Sequence, residues 1–200
     1  MIRIAVLASG WGSNLEALFE ALAGRGDAAI VLVASDRADA YALERARGRG
    51  VDVALVDPAD DVALLALLER ARVDWIVLAG YLKRVPRVVV RRWRNRILNV
   101  HPALLPAHGG KGMYGERVHR AVLESGEPTS GASVHLVDEE YDRGPVVARA
   151  EVPVEPGDTP ASLAARVLEV EHRLLPAVVV AAAEGRIRVA GEKAWIEEAK

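Results

Sequence analysis

The amino-acid sequence predicts an α/β fold, Rossmann-like, with an open, mostly parallel but mixed sheet. Short apolar runs alternate with segments of helical periodicity from Ile2 to Ala79. These runs are nearly uninterrupted, as expected for strands that helices cover on both faces. Two later runs alternate in polarity and are joined by a short acidic turn, which favours an antiparallel pair. The sheet is therefore expected to be mixed.

The first half of the chain predicts four strands with helices between them. A strand at 2–8 leads through a glycine turn into a helix at about 14–23, and the pattern then repeats. The further predicted strands are 29–34, 51–56 and 75–79, and the helices between them are 38–47 and 58–71. Such alternation predicts right-handed crossovers in a parallel sheet.

The second half predicts a fifth strand at 97–100, a mobile glycine-rich loop at 107–114 and a helix at 115–124. The antiparallel pair is expected at 130–137 and 145–154. A long helix follows, with Thr159 as its N-cap and Pro160 in its first turn, and Pro176 predicts a kink or break. A terminal hairpin is expected at 187–196, turning at Gly191.

Composition excludes several classes of function. With 26 basic and 28 acidic residues, the net charge of -2 argues against a general nucleic-acid binder. The absence of cysteine excludes disulfides, thiolate catalysis and cysteine-held metals. No apolar run approaches the roughly 20 residues of a membrane helix, and no secretory leader is apparent, so we expect a cytoplasmic protein with no membrane partner. Two hundred residues are expected to form one domain.

The end of the fifth predicted strand carries an amide and an imidazole. Asn99 and His101 stand directly before Pro102, where an open α/β sheet presents its functional groups. Two structural interpretations remain open at this point. Asn99 could cap a turn, and His101 could be a buried polar residue whose backbone Pro102 holds extended.

A glycine turn, residues 10–14, joins the first strand to the first helix. Its backbone N–H groups and the helix dipole would attract an anion, and Ser13 and Asn14 could add donors. The alternative is a tight turn with Ser13 as N-cap. The pattern is neither a complete dinucleotide fingerprint nor a Walker A loop, which favours a phosphate on a small substrate.

The acidic turn between the last two strands of the sheet carries Asp142. A carboxylate near His101 would raise the pKa of that imidazole and keep it protonated, although Asp in a turn is often only a turn former. Ser133 and His135 share one face of the preceding strand, and we interpret them as a polar sheet face. The five histidines show no zinc-ligand spacing, so no metal site is expected.

Taken together, these segments resemble the folate-dependent phosphoribosylglycinamide formyltransferase family, in the same order over nearly the whole chain. The motifs that carry the resemblance are Gly12-Ser13-Asn14-Leu15, Leu78-Ala79-Gly80-Tyr81-Leu82, Asn99-Val100-His101-Pro102-Ala103-Leu104-Leu105-Pro106, Ser133-Val134-His135, the run from Asp138 to Pro145, Asp158-Thr159-Pro160 and Glu171-His172-Arg173. Each motif alone is weak, but the ordered set is specific. The resemblance implies the formyltransferase fold, with a phosphate-binding half at about 1–100 and a folate and catalytic half at about 101–200.

The implied activity transfers a formyl group from 10-formyltetrahydrofolate to the amine of glycinamide ribonucleotide, in purine synthesis. The resemblance assigns catalysis to Asn99, His101 and Asp142, with a protonated His101 and the Asn99 amide donating to the developing oxyanion. The residues matched to substrate binding are Gly12, Ser13, Asn14 and Glu171. The residues matched to folate binding are Leu82, Lys83, Arg84, Val85, Asn99, Asp138, Glu139, Glu140, Tyr141 and Asp142.

Some positions depart from the family pattern. Trp11 stands where a polar residue is more common, so it either covers the phosphate or ribose or packs on the loop, and Arg84 replaces an apolar residue beside the folate. His108 and Lys111 are interpreted as part of a solvated loop, without a catalytic role. A homodimer is possible. The competing functions are another formyltetrahydrofolate-using hydrolase or transferase, and a non-catalytic folate-binding module.

Overall fold

A computed structural model of the chain describes residues 1–198, in which seven strands form one mixed sheet in the order β3-β2-β1-β4-β5-β6-β7. The strands are β1 (Ile2–Leu7), β2 (Ala28–Ser35), β3 (Asp52–Leu55), β4 (Trp75–Leu78), β5 (Ile97–His101), β6 (Thr129–Leu136), β7 (Val146–Pro153), and β8 (Ile187–Ala190) with β9 (Lys193–Ile196) as a separate hairpin. The helices are α1 (Ser13–Leu22), α2 (Tyr41–Gly48), α3 (Asp61–Arg70), α4 (Arg87–Arg92), α5 (Glu116–Ser125) and α6 (Pro160–Ala183). The predicted α/β class with a mostly parallel, mixed sheet is confirmed.

The chain divides into two compact units, of which the first is Met1–Asn99. Within it, β1 pairs in parallel with β2 and β4, β2 with β3, and β4 with β5. Right-handed crossovers place α1 and α2 on one face of this sheet and α3 and α4 on the other. The strand order reverses between β1 and β4, and crevices at the carboxyl ends of strands near such a reversal are where open α/β sheets bind ligands.

Helix α4 in this unit was not predicted from the sequence. It spans only six residues, too few for a clear helical period, and its exposed positions are mostly arginine. Val89 and Val90 anchor it in the core. The buried Trp93 closes it by donating from Nε1 to the carbonyl oxygen of Val73 at 2.8 Å.

The second unit comprises the described residues from Val100 onward. Strands β6 and β7 pair antiparallel, as predicted, with a register shift between Val134 and His135. One face of this pair packs with α5 and α6 into an apolar core. The buried members of that core are Val122, Ala132, Val152, Leu163, Val167 and Val170.

Helix α6 begins as the sequence predicts, with Thr159 as N-cap and Pro160 in the first turn. The Thr159 and Ser162 side chains and backbone N–H groups form a reciprocal capping box. Of the kink or break predicted at Pro176, the break does not occur, because α6 continues through this residue as one helix. Pro176 is buried between Leu175 and Val178, so tertiary packing offsets the hydrogen bond that proline removes.

The β8-β9 hairpin was also predicted, and it turns at Gly191, whose φ is 59°. Within residues 1–198, no helix is both long enough and apolar enough to cross a membrane.

Candidate active site

In the first unit, the glycine turn stands at the carboxyl end of β1, beside the point where the strand order reverses. Gly12 is the N-cap of α1 and adopts a left-handed φ of 78°. A Cβ at this position would lie 2.9 Å from both Cα and Cβ of Ala42, so the turn excludes any larger residue. Gly12 supplies no side-chain cap to the first N–H groups of α1, which favours an external acceptor there. The alternative with Ser13 as N-cap is therefore wrong.

The side chain of Trp11, a residue of this turn, packs against helix α2. Its ring, 66% exposed, stacks on Tyr41 with centroids 4.5 Å apart. The Arg45 guanidinium lies over both rings, and its Nε donates to the Trp11 carbonyl oxygen at 3.0 Å. Trp11 thus packs against α2, and its role in covering the phosphate or ribose stays a prediction. Helix α2 thus supports the glycine turn from one side.

The segment matched to folate binding follows β4 in the same unit. Leu82, Lys83 and Arg84 are exposed, so their side chains are accessible to a ligand. Val85 is 4% exposed, and its side chain belongs to the core of this unit. Any contact of Val85 with a ligand would therefore come mainly from its backbone.

In the second unit, three side chains form a buried histidine cluster, namely His101, His135 and Asp142. His101 ends β5 and is 3% exposed. Its Nε2 lies 2.8 Å from the His108 carbonyl oxygen, and its Nδ1 lies 3.7 Å from Oδ2 of Asp142. Because a carbonyl oxygen can only accept, Nε2 of His101 carries a proton and donates to His108. In a neutral ring, Nδ1 is then the nitrogen that is able to accept a proton.

Asp142 is held in place by its own turn and by the glycine-rich loop. Its φ is 55°, a left-handed conformation that Asp and Asn tolerate better than most residues. Oδ2 accepts a hydrogen bond from the Gly110 N–H at 2.9 Å. Burial alone would raise the pKa of Asp142, but the hydrogen bond from His135, the charge of His101 and the Gly110 N–H together hold that pKa below its usual value. Asp142 is thus an anion at neutral pH.

The electrostatics of His101 differ from the expectation drawn from the sequence. Burial lowers the pKa of His101 by more than the negative charge of Asp142 raises it, so the net direction is downward. A pKa below the ordinary value favours the neutral ring at pH 7, whereas the sequence predicts a protonated ring that donates to the oxyanion. The sequence showed the carboxylate partner but not the depth of burial.

His135 is the residue of this cluster that sequence analysis missed. It is 1% exposed; Nδ1 lies 2.9 Å from the Leu136 carbonyl oxygen, and Nε2 lies 3.5 Å from Oδ1 of Asp142. The alternation of Ser133 and His135 along β6 was the available signal, and it was interpreted only as a polar sheet face. Two imidazoles therefore flank one carboxylate.

Ser133 fixes the segment that follows His101. Its Oγ donates to the Ala103 carbonyl oxygen at 2.7 Å and accepts from the Leu105 N–H at 3.0 Å. Arg149 donates from Nε to the Leu105 carbonyl oxygen at 3.0 Å. These bonds hold the turn that carries the proline-rich motif, so Ser133 acts on backbone groups.

The glycine-rich loop is better anchored than the sequence predicted. His108 Nε2 lies 2.9 Å from Oε1 of Glu127, and the His108 side chain is 14% exposed. Its carbonyl oxygen accepts from His101, and the Gly110 N–H donates to Asp142. The interpretation of His108 as a solvated loop residue is therefore wrong, while Lys111 is exposed as expected.

The remaining residues matched to the family occupy different settings. Asn99 is half-buried and lies two residues before His101 on β5, so the two side chains leave the same face of that strand. In the acidic loop, Asp138 accepts from the Glu140 N–H at 2.8 Å and Tyr141 is 39% exposed, with Glu139 half-buried. Glu171 is 8% exposed on α6.

Metal coordination was not expected from the sequence. Among residues 1–198, no group of three or more His, Asp or Glu side chains is arranged to hold a metal ion. The histidine cluster has the chemistry of proton transfer, since it joins a neutral imidazole to a buried carboxylate.

These features define a doubly wound α/β protein with a candidate acid–base centre. Comparison with known proteins places it in a family: residues 2–179 match the formyl transferase family. A chloroplastic phosphoribosylglycinamide formyltransferase of Arabidopsis thaliana is 44% identical over 93% of this chain and 67% of its own length. The phosphoribosylglycinamide formyltransferase of Escherichia coli is 36% identical over 98% of this chain and 94% of its own length. The chain belongs to the formyl transferase family.

Solved structures agree with this placement. A glycinamide ribonucleotide transformylase from Symbiobacterium toebii superposes with a TM-score of 0.92 and 43% identity, covering 99% of this chain and 95% of that one. The resemblance derived from the sequence motifs is therefore confirmed, and with it the formyltransferase fold.

Proposed function

We propose that the chain transfers a formyl group from 10-formyltetrahydrofolate to the amine of N1-(5-phospho-D-ribosyl)glycinamide, as in de novo purine synthesis. The products are the N-formyl compound and tetrahydrofolate. The observation that carries this proposal is that relatives named for this activity match the chain over almost its entire length. The buried pair of His101 and Asp142 supplies the acid–base chemistry that the reaction needs.

The reaction begins when the amine nitrogen attacks the formyl carbon and the carbonyl oxygen becomes an oxyanion. Asn99 is the proposed donor to that oxyanion through its side-chain amide. The attacking nitrogen must lose a proton, and the proposed acceptor is Nδ1 of neutral His101. The imidazolium that forms is stabilised by Asp142 and adds its own positive charge near the oxyanion.

Collapse of this intermediate breaks the bond between the formyl carbon and N10 of the folate. The proton taken from the amine then passes to N10, directly from His101 or through water, so the proton balance closes without another acid. His101 is in this scheme a base first and a cation second. Asp142 stabilises the imidazolium and thereby lowers the barrier to attack by the amine.

We assign the glycine turn of Gly12, Ser13 and Asn14 to the phosphate of the acceptor, with Glu171 as a further substrate ligand. The uncapped start of α1 supports this role, because helix N-termini attract anions. The exposed segment Leu82–Arg84, with the backbone of Val85, and the acidic loop 138–142 are the proposed folate contacts. We propose small-molecule partners only, with no nucleic acid and no metal requirement; a homodimer and a cytoplasmic location stay proposals as well.

The single-domain organisation also stays a prediction. The two compact units divide between Asn99 and Val100, on β5 itself. A single cooperative unfolding transition for the whole chain, seen alike by circular dichroism and calorimetry, is the expected result.

The decisive experiment mixes purified protein with 10-formyltetrahydrofolate and follows tetrahydrofolate release with and without the ribonucleotide. We expect release only when the acceptor is present, and its loss in His101→Ala. Equal release without the acceptor would indicate a hydrolase instead. Binding of both ligands without transfer would indicate a non-catalytic folate-binding module.

A further inference from the structure

Ser9, two residues after the end of β1, holds the segment that follows β4 at two points. Its N–H donates to the Gly80 carbonyl oxygen at 3.0 Å, and its Oγ accepts from the Leu82 N–H at 2.9 Å. Gly80 has a left-handed φ of 74°, and Tyr81 between them is buried. Two hydrogen bonds therefore tie the segment Gly80–Leu82 to Ser9.

The hydroxyl of Ser9 is oriented in turn by Asp36, which follows β2. Ser9 Oγ donates to Oδ1 of Asp36 at 2.5 Å. A hydroxyl has one proton, and with that proton given to Asp36 its lone pairs are directed to the Leu82 N–H. Lys83 Nζ lies 3.9 Å from the other carboxylate oxygen. One carboxylate thus acts on two successive residues of the segment.

Burying the Ser9 and Asp36 side chains costs free energy, and the fold does not need this pair to join its strands. The Asp36 side chain is 3% exposed and Ser9 is 2% exposed, and removing a carboxylate from water is expensive unless it is well paired. The neighbouring strand ends are already joined by main-chain bonds, from the Ala8 N–H to Ala34 and from the Ala79 N–H to Leu7. The contribution of the Ser9–Asp36 pair is therefore to fix the position of the segment after β4.

We propose that Ser9 and Asp36 are positioning residues that preset Leu82 and Lys83 for the folate substrate. Ser9 holds the Leu82 amide, while Asp36 orients the Ser9 hydroxyl and holds the Lys83 ammonium group. This inference rests on the proposed function, which assigns the segment beginning at Leu82 to folate binding. A segment that is ordered before the ligand arrives does not lose that freedom on binding, so the pair raises folate affinity.

Steady-state kinetics of three variants tests the role. We expect Ser9→Ala to raise KM for 10-formyltetrahydrofolate about tenfold, as for the loss of one or two ordered side chains on binding. The values of kcat and of KM for the ribonucleotide should change by less than about twofold. Asp36→Asn keeps an acceptor for the Ser9 hydroxyl and should recover most of the loss seen in Asp36→Ala.

Ser35→Ala is the matched control. Ser35 is fully buried at the end of β2, and its Oγ accepts from the Arg37 N–H within its own turn. Its removal deletes a buried hydroxyl of the same kind, so folate KM should stay at the wild-type value. Equal increases in both KM values in Ser9→Ala, or the same folate effect in Ser35→Ala, would overturn the positioning role.

Amide hydrogen exchange gives a second readout that is independent of activity. In Ser9→Ala, exchange at Leu82 should become at least about tenfold faster because its acceptor is lost, while the Ala79 amide stays protected. Unchanged exchange at Leu82 would overturn the inference. Absence of formyl transfer by the wild-type chain would instead overturn the proposed function, so the two failures are distinguishable.

Discussion

The glycine turn and the histidine cluster, the two proposed functional regions, are built by different physical means. The turn is made of backbone within one strand–turn–helix unit: a left-handed Gly12 at the start of α1, which lies close to Ala42 of the neighbouring helix α2. The cluster is made of side chains that are 41 positions apart in the chain, as His101 and Asp142 are. Backbone sites follow from local sequence, whereas side-chain clusters depend on which strands become neighbours.

The largest expected effect comes from the cluster. His101→Ala, Asn99→Ala and Asp142→Ala should each lower kcat by roughly 100- to 1000-fold. For Asn99 this is the range for losing one donor to an oxyanion, and for His101 with its partner Asp142 it lies within the range for losing a general base. Circular dichroism and melting curves should show an intact fold. Asp142→Asn is the better test of charge, because Asn tolerates the positive φ that strains Ala. Near-normal turnover in His101→Ala would contradict the proposed mechanism.

The glycine turn should respond through binding. Gly12→Ala forces a Cβ to within 2.9 Å of Ala42, so we expect kcat/KM for the ribonucleotide to fall by roughly tenfold or more and stability to fall by about 1–3 kcal/mol. Gly24→Ala is the control, since Gly24 also has a positive φ of 72° but open space around it. It should lose only the roughly 1–2 kcal/mol that a left-handed conformation costs a residue with a Cβ, with unchanged kinetics. Equal kinetic losses in both variants would show that strain alone is responsible.

The difference between local signals and long-range packing also explains how much of the fold and of the candidate site the sequence predicts. The strand–helix alternation, the antiparallel pair and the cap at Thr159 are local signals, and all were predicted correctly. Helix α4 was missed because six residues carry no clear period, and of the kink or break predicted at Pro176 the break does not occur because packing outweighs local propensity. In the histidine cluster, the alternation along β6 indicates which face of the strand His135 occupies. It does not indicate that Asp142 lies next to that imidazole.

Burial also sets the charge state of His101 in the cluster. The pKa of His101 is lowered by burial and raised by Asp142, with burial dominant. If neutral His101 is the base, kcat/KM should fall as pH decreases through a pKa below the ordinary value of about 6.5. In Asp142→Asn the loss of negative charge disfavours the imidazolium, so this acidic limb should move to still lower pH.

Glu127→Gln is the control for the pH profile, because its carboxylate pairs with His108 rather than with His101. The acidic limb should stay at the wild-type position in this variant. A profile in which kcat/KM instead falls as pH rises through the His101 pKa would show that the protonated ring is the active form.

The smallest effect is expected from His119 on α5, which is buried like the cluster but has no assigned task. It is 4% exposed, and within residues 1–198 its Nδ1 is one of the few buried side-chain atoms without a hydrogen-bond partner. His119→Leu should leave kcat unchanged and stabilise the chain by roughly 1 kcal/mol at pH 7.5, since an unsatisfied buried polar group is removed.

The pH dependence of this stability effect follows from the direction of the pKa. Burial, and then the charge of His101, lowers the pKa of His119, so the unfolded chain binds its proton more readily than the folded one. This contribution to stability is complete above about pH 6.5 and is lost as pH falls through that value. Urea unfolding should therefore show that the free energy of unfolding falls less between pH 7.5 and pH 5.5 in His119→Leu than in wild type. Val122→Ala, on the same buried face of α5, is the control and should lose the same amount of stability at both pH values. If the pH dependence of stability in His119→Leu equals that of wild type, then His119 does not titrate on unfolding.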